Sequence, residues 1–191
     1  MASKLLPFRQ ISENDVVNLF AYDGSEAIRG LIVSLDTGKG WNMDDELETT
    51  SINLSYNNTV SDRYSVAARV DTCASGDVPF GMLMYDVTET DENGEKLIYH
   101  PRKAHEMQVS VSGQAVPVLT RGIVLVNTPD ADVALQAVKA GDAAYAGAGG
   151  AIIAHDNAPA TLFRVGTFLG PRSAKDNVLL KLDCHSSHGD H

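Results

Sequence analysis

The sequence predicts a mainly β protein: a small β-barrel or sandwich built from short antiparallel strands, with at most one or two short helices and an extended N-terminal arm. Three observations predict it. Apolar residues come in short runs, alternating with polar residues or packed solid, as strands do. These runs are punctuated by 16 glycines, 7 prolines and Asn or Asp turn signals. The centre of the chain, residues 106–127, holds two such runs divided by Gly113, Pro117 and Gly122.

Residues 1–12 carry Leu5, Leu6, Pro7, Phe8 and Ile11 among polar neighbours, and Pro7 biases Leu6 toward extended geometry. This segment reads as an arm reaching another chain or as an edge strand tucked onto its own domain. Val16 to Tyr22 and Leu31 to Leu35 read as two strands paired with each other, with Asp23-Gly24 as a turn signal and a short connector between them. Residues 36–48 turn polar around Trp41, which reads as a loop aromatic covering one end of the core. Residues 52–56 and 64–70 alternate again, and residues 80–87 are dense enough in apolar side chains for a buried strand. Asn93-Gly94 then predicts a tight hairpin turn, with Leu97-Ile98-Tyr99 as the returning strand.

Residues 100–105, HPRKAH, form the one locally basic spot and read as surface loop. In the central stretch, Val109 and Val111 alternate with polar residues, which suits one buried face. The solid run Ile123-Val124-Leu125-Val126 suits full burial. Pro117 cannot donate a ladder hydrogen bond, so residues 113–122 read as a shaped crossing between two β-units, at an edge, bulge or bend. Thr128 as cap, Pro129 at the first helical position, apolar residues Ala131, Ala134, Leu135 and Val138, and Gly141 as a stop together predict a helix of about three turns. Residues 141–184 return to short strands ended by glycine or polar turns. Phe80-Gly81-Met82-Leu83 and Val165-Gly166-Thr167-Phe168-Leu169 echo one another as apolar-glycine-apolar strands. The organisation predicted is an arm at 1–12, one β-rich domain at 13–184 with possible sub-units at about 13–112 and 123–184, and a flexible tail at 185–191.

A formal net charge of −10 and a pI near 4.9 argue against direct binding to nucleic acid, which requires cations to displace phosphate counterions. Neither a secretory leader nor a run of about 18 apolar residues is present, so the expectation is a protein made in a cytoplasm and kept off membranes. Cys73 and Cys184 do not make a disulfide framework and read as two buried thiols.

No stretch assembles a catalytic, cofactor or metal site. The acidic residues 89–95 lack the ligand spacing of a calcium loop, and Gly147 to Gly150 lack the lysine of a phosphate loop. His100 and His105 have no nucleophile at hand. The triplet Asn57-Asn58-Thr59 matches a glycosylation acceptor that a cytoplasmic protein would not use. His185, His188 and His191 read as a frayed end.

Two sets of residues carry a resemblance. Gly141-Asp142-Ala143-Ala144-Tyr145, then Arg164 to Leu169, then Asn177 to Leu182 resemble the G-D-x-x-Y, V-G-x-x-L, V-x-V-x-L rhythm of tailed-phage capsid decoration, or cement, proteins. Residues 79–99 with 112–122 are similar to virion structural proteins of marine and freshwater phages. The resemblance implies a non-enzymatic structural protein without a cofactor, a homotrimer bound to the major capsid protein on the outer face of the virion. Under it, Leu5, Leu6, Pro7, Phe8 and Arg9 become the candidate capsid-binding arm, able to add a strand to a capsid subunit, and removing residues 1–12 is expected to spare the fold. The alternatives are a minor component of the tail or fibre base and a carbohydrate-binding β-sandwich, for which Asp86 and His155 are the residues to change.

Overall fold

The structure, a computed structural model, describes residues 5–37, 68–127, 133–154 and 162–184. Trp41, the run at 52–56, the glycosylation triplet, the proposed helix start at Thr128 and Pro129, His155 and the tail at 185–191 lie outside the described residues.

The architecture is mainly β, as expected. Strands β1 (Leu5–Pro7), β2 (Val16–Val17), β3 (Ile32–Thr37), β4 (Ala68–Thr72), β5 (Pro79–Leu83) and β6 (Asp86–Thr88) come first. A short helix α1 (Pro101–Met107) precedes β7 (Val109–Val111), β8 (Val118–Leu119) and β9 (Arg121–Asn127). Helix α2 (Val133–Gln136) leads to β10 (Ala143–Ala146), β11 (Ile152–Ala154), β12 (Arg164–Phe168) and β13 (Asn177–Asp183). One antiparallel sheet runs β1-β9-β13-β12-β10-β11, a second runs β2-β8-β5-β3-β4, and β6 pairs in parallel with β7.

The layering follows from which faces are apolar. In β13, Val178, Leu180 and Leu182 are buried while Lys181 and Asp183 are exposed, so the six-stranded sheet buries a single face. That face meets the cross-strand row Ile32, Met82 and Leu119 of the five-stranded sheet in one cluster with Leu5, Val124 and Phe168. Successive residues of the second sheet, Val33, Leu83 and Val118, point the other way into a second cluster with Tyr22, Val87 and Val116. The middle sheet is therefore buried on both faces. A third, smaller cluster of Leu97, Ala104 and Val111 fixes α1 against β7.

The crossing proposed between two β-units falls at Thr120, between β8 of one sheet and β9 of the other. Its N–H and its hydroxyl both donate to the Asp15 carbonyl, and its carbonyl accepts the Cys184 N–H. Pro117 lies just before β8, which has neighbours on both sides, and its carbonyl accepts the Met84 N–H. The missing proline donor is thus placed outside the ladder. The apolar-glycine-apolar echo also has a shared cause: a Cβ on Gly81 would lie 2.6 Å from the Leu119 carbonyl oxygen, and one on Gly166 would strike the Lys181 carbonyl.

Several expectations are corrected. Strands β2 and β3 do not pair with each other; β2 lies on β8, and β3 lies between β4 and β5. The run at 80–87 breaks at Met84 and Tyr85, because β5 and β6 belong to different layers. Residues 123–126 are not all buried: Val124 and Val126 face the core, while Ile123 and Leu125 are half-buried on the opposite face. The helix expected at 128–141 is described only over Val133–Gln136.

The turn expected at Asn93-Gly94 forms, and Lys96 returns antiparallel to Thr90 through a single bridge, but the strand expected at Leu97-Ile98-Tyr99 does not. Leu97–Tyr99 winds into a 3₁₀ turn, with Tyr99 and His100 donating N–H bonds to the Lys96 and Leu97 carbonyls. A strand would put Leu97 and Tyr99 on one face, yet only Leu97 has a core to enter. The basic spot that follows is a helix rather than loop. Pro101 supplies the preset φ of a first helical residue, and Gln108, at φ 56, ends α1 in the left-handed region.

Candidate interaction face

Of the two readings of the N-terminal segment, the edge strand on its own domain describes Leu5–Pro7. Leu5 sits opposite Val126 and is buried in the main core; Leu6 sits opposite Leu125 and Pro7 opposite Val124. The Phe8 N–H donates to the Ile123 carbonyl at 3.1 Å. Because main-chain groups alternate sides along a strand, Leu6 and Phe8 spend theirs on β9, and Leu5 and Pro7 present theirs to the open edge. Pro7 has no N–H, so the outer edge of β1 offers one donor, from Leu5, for a further strand. Side chains, not the ladder, are what this segment displays: Leu6 is 53% exposed and Phe8 58%, and Pro7 and Arg9 are exposed as well.

These side chains continue a row that the strand register assembles. Leu6 stands opposite Leu125, Leu125 opposite Leu179, and the Leu169 N–H donates to the Leu179 carbonyl at 2.8 Å, one residue past the pair Phe168 and Leu180. Four leucines, on β1, β9 and β13 and one residue past the end of β12, therefore cross the outer face, over about 14 Å at the usual strand spacing. Leu125 and Leu179 are half-buried, and Leu6 and Leu169 are exposed. Beside them runs a second row, Phe8, Ile123, Lys181 and Thr167.

The border is polar. At one end Asn127 donates from Nδ2 to Asn177 Oδ1 at 3.0 Å and to the Lys175 carbonyl at 3.1 Å. At the other, Arg121 faces Asp183 across the strands, and Arg164 donates to the Thr167 hydroxyl at 2.6 Å. Among the described residues of these rows and their border, Lys181, Arg121 and Arg164 outnumber Asp183, in a chain whose net charge is −10. An apolar strip with a charged rim is the anatomy of a protein contact surface.

The other candidate residues do not join it. Asp86 accepts the Arg29 N–H at 2.8 Å and lies 3.9 Å from its guanidinium, so its carboxylate ties the 27–30 connection to β6. His100 and His105 flank or lie in α1 and are exposed. Among the described residues, no three His, Cys, Asp or Glu side chains gather as a metal site, and no helix is long and apolar enough to cross a membrane. A cleft of about 610 Å³ at the seam of the two sheets is lined by Asp71, Asp77 and Cys184. Asp71 accepts the Thr72 N–H and Asp77 the Ala74 N–H. Burial pushes the Cys184 thiol up to about 12 and the Cys73 thiol to about 11, so neither is a thiolate nucleophile at neutral pH.

Sequence reasoning found Leu6 and Phe8 but missed Leu125, Leu179 and Leu169. The available signal was the period of two through residues 178–183, which puts Leu179, Lys181 and Asp183 on one face. No model of a known protein family matches the chain, and a search of curated proteins finds no relative.

Proposed function

We propose that this chain is a structural protein of a phage particle that binds the outer surface of the assembled capsid and clamps neighbouring copies of the major capsid protein. The observation that carries the reading is the leucine row, which extends the predicted capsid-binding residues Leu6 and Phe8 into a continuous apolar strip. Its anchors sit on a sheet, so they are presented rigidly and little ordering entropy is lost on docking. The cationic rim suits an acidic shell surface and steers approach to it. A ligand that binds only the assembled lattice stabilises that lattice by mass action, with no turnover required. The reading includes the homotrimer, because three copies on one particle multiply a weak contact into a firm one.

Co-sedimentation with purified expanded capsids tests it. The expected result is saturable, lattice-wide occupancy by the intact protein and loss of occupancy when Leu125→Glu is substituted. A few copies confined to one vertex would move the protein to the tail or fibre base. Absence of any binding to capsids would sink the proposal.

A further inference from the structure

A separate cleft lies on the far side of the molecule, where the 3₁₀ turn Leu97–Tyr99 and β7 meet the segment after Tyr22. Its volume is about 370 Å³, at the small end of ligand pockets, which run from about 300 to 1,000 Å³. Leu97 is fully buried and pins the turn, which throws Ile98 and Tyr99 outward at 50% and 76% exposure. A tyrosine ring held this way has no core to cover. It is an exposed flat surface at the edge of the cleft.

The polar groups around it are matched in pairs. Glu89 Oε1 and Lys96 Nζ lie 3.1 Å apart on the rim. They are held side by side by the bridge between Thr90 and Lys96 and by the Leu97 N–H, which donates to the Glu89 carbonyl at 3.0 Å. Deeper in, Arg69 Nη1 lies 3.1 Å from Asp23 Oδ1. Ser112 donates its hydroxyl to the Gly24 carbonyl at 2.9 Å and so closes one end.

We propose that this cleft binds a neutral sugar, with one pyranose ring stacked on Tyr99 and its hydroxyls bridging Glu89 and Lys96. Charge matching decides the ligand class. An anion would compete with Glu89 for the Lys96 ammonium, and a cation would compete with Lys96 for the Glu89 carboxylate. A hydroxyl is donor and acceptor together, so neighbouring ring hydroxyls can add one bond to the carboxylate and one to the ammonium while the pair stays intact. The C–H face of a pyranose is apolar and covers the exposed ring. This site is independent of the leucine row and does not use Asp86.

Saturation-transfer NMR and titration calorimetry of the full chain with cellobiose, lactose and mannobiose test the proposal, with glutamate and inorganic phosphate as charged probes. At least one disaccharide is expected to bind in the millimolar range. Tyr99→Phe keeps the ring and is expected to keep the affinity, whereas Tyr99→Ala is expected to weaken it about tenfold or more. Lys96→Met supplies a second variant should Tyr99→Ala lower the unfolding midpoint, and it is expected to weaken the same sugar. Failure of all three sugars to bind, unchanged binding in both Tyr99→Ala and Lys96→Met, or tighter binding of glutamate or phosphate than of any sugar would overturn the assignment.

Discussion

Leu125 of β9 stands directly opposite Leu179 of β13, and both point away from the core. A cross-strand leucine pair contributes to sheet stability, but its outer surface adds nothing further unless another molecule covers it. Leu125→Glu should therefore separate stability from attachment. The expected cost is about 1 kcal/mol, an unfolding midpoint lowered by a few degrees, with capsid occupancy falling by about tenfold or more. Thermal melts and co-sedimentation measured on one preparation check both halves.

The N-terminal segment separates the same two roles within a few residues. Leu5 is buried in the core and Phe8 is 58% exposed. Leu5→Ala is expected to destabilise by about 2–5 kcal/mol through the cavity it leaves, and Phe8→Ala by less than about 0.5 kcal/mol. Removing residues 1–12 strips β9 of one of its two neighbours and the core of Leu5, so it is expected to damage the fold. Point substitution of Leu6 and Phe8 is the cleaner probe of attachment, and urea unfolding midpoints measure the difference.

Among the described residues, Asp91 is the buried acid, its side chain 1% exposed beside Lys103. The Lys103 ammonium first, with the Glu95 and Asn93 N–H groups adding to it, holds its carboxyl down to about 2, against an ordinary value of 3.8. A depressed folded-state value means that the stabilisation is fully present above the ordinary value and is lost as pH falls from there toward 2. Lys103, raised by the same bond, contributes stability that is present below its ordinary value of 10.5 and lost as pH rises through the higher folded value. Asp91→Asn should lower the midpoint at neutral pH and flatten the acid limb of a stability–pH curve. An acid limb identical to that of the parent protein would refute the role of this pair.

Gly166 has no room for a side chain, because its Cβ would meet the Lys181 backbone in the neighbouring strand. Gly166→Ala is expected to cost about 1–3 kcal/mol by forcing β12 and β13 apart. Gly170 lies in open space just past the same strand, so Gly170→Ala is the matched control, expected within about 0.5 kcal/mol of neutral. Denaturant midpoints of the two variants decide whether the glycine acts through close approach.

Both cysteines should be inert in the folded chain. With Cys73 pushed up to about 11 and Cys184 to about 12, alkylation by iodoacetamide at pH 8 is expected to be far slower in native protein than in urea. Mass spectrometry of timed samples reads this directly. Rapid native labelling of Cys184 would show that its thiol is not held neutral.

The sequence by itself determined the class of the fold and most strand positions, since a two-residue period and turn chemistry are local properties of the chain. It also placed the change of sheets between Gly113 and Gly122, because a proline and two glycines restrict what the backbone there can do. It failed at Leu97–Tyr99 and at Pro101–Met107, where each element is too short to show a period and is selected by what Leu97 and Ala104 can bury against. The candidate face was legible only at its edge, in Leu6 and Phe8. Leu125, Leu179 and Leu169 look like any other core leucines until the register of four strands, distant in sequence, turns them to one side. Which strands lie together is set by the packing of whole faces, and only the tertiary structure could decide that the leucines share a row and that Tyr99 has nothing to cover.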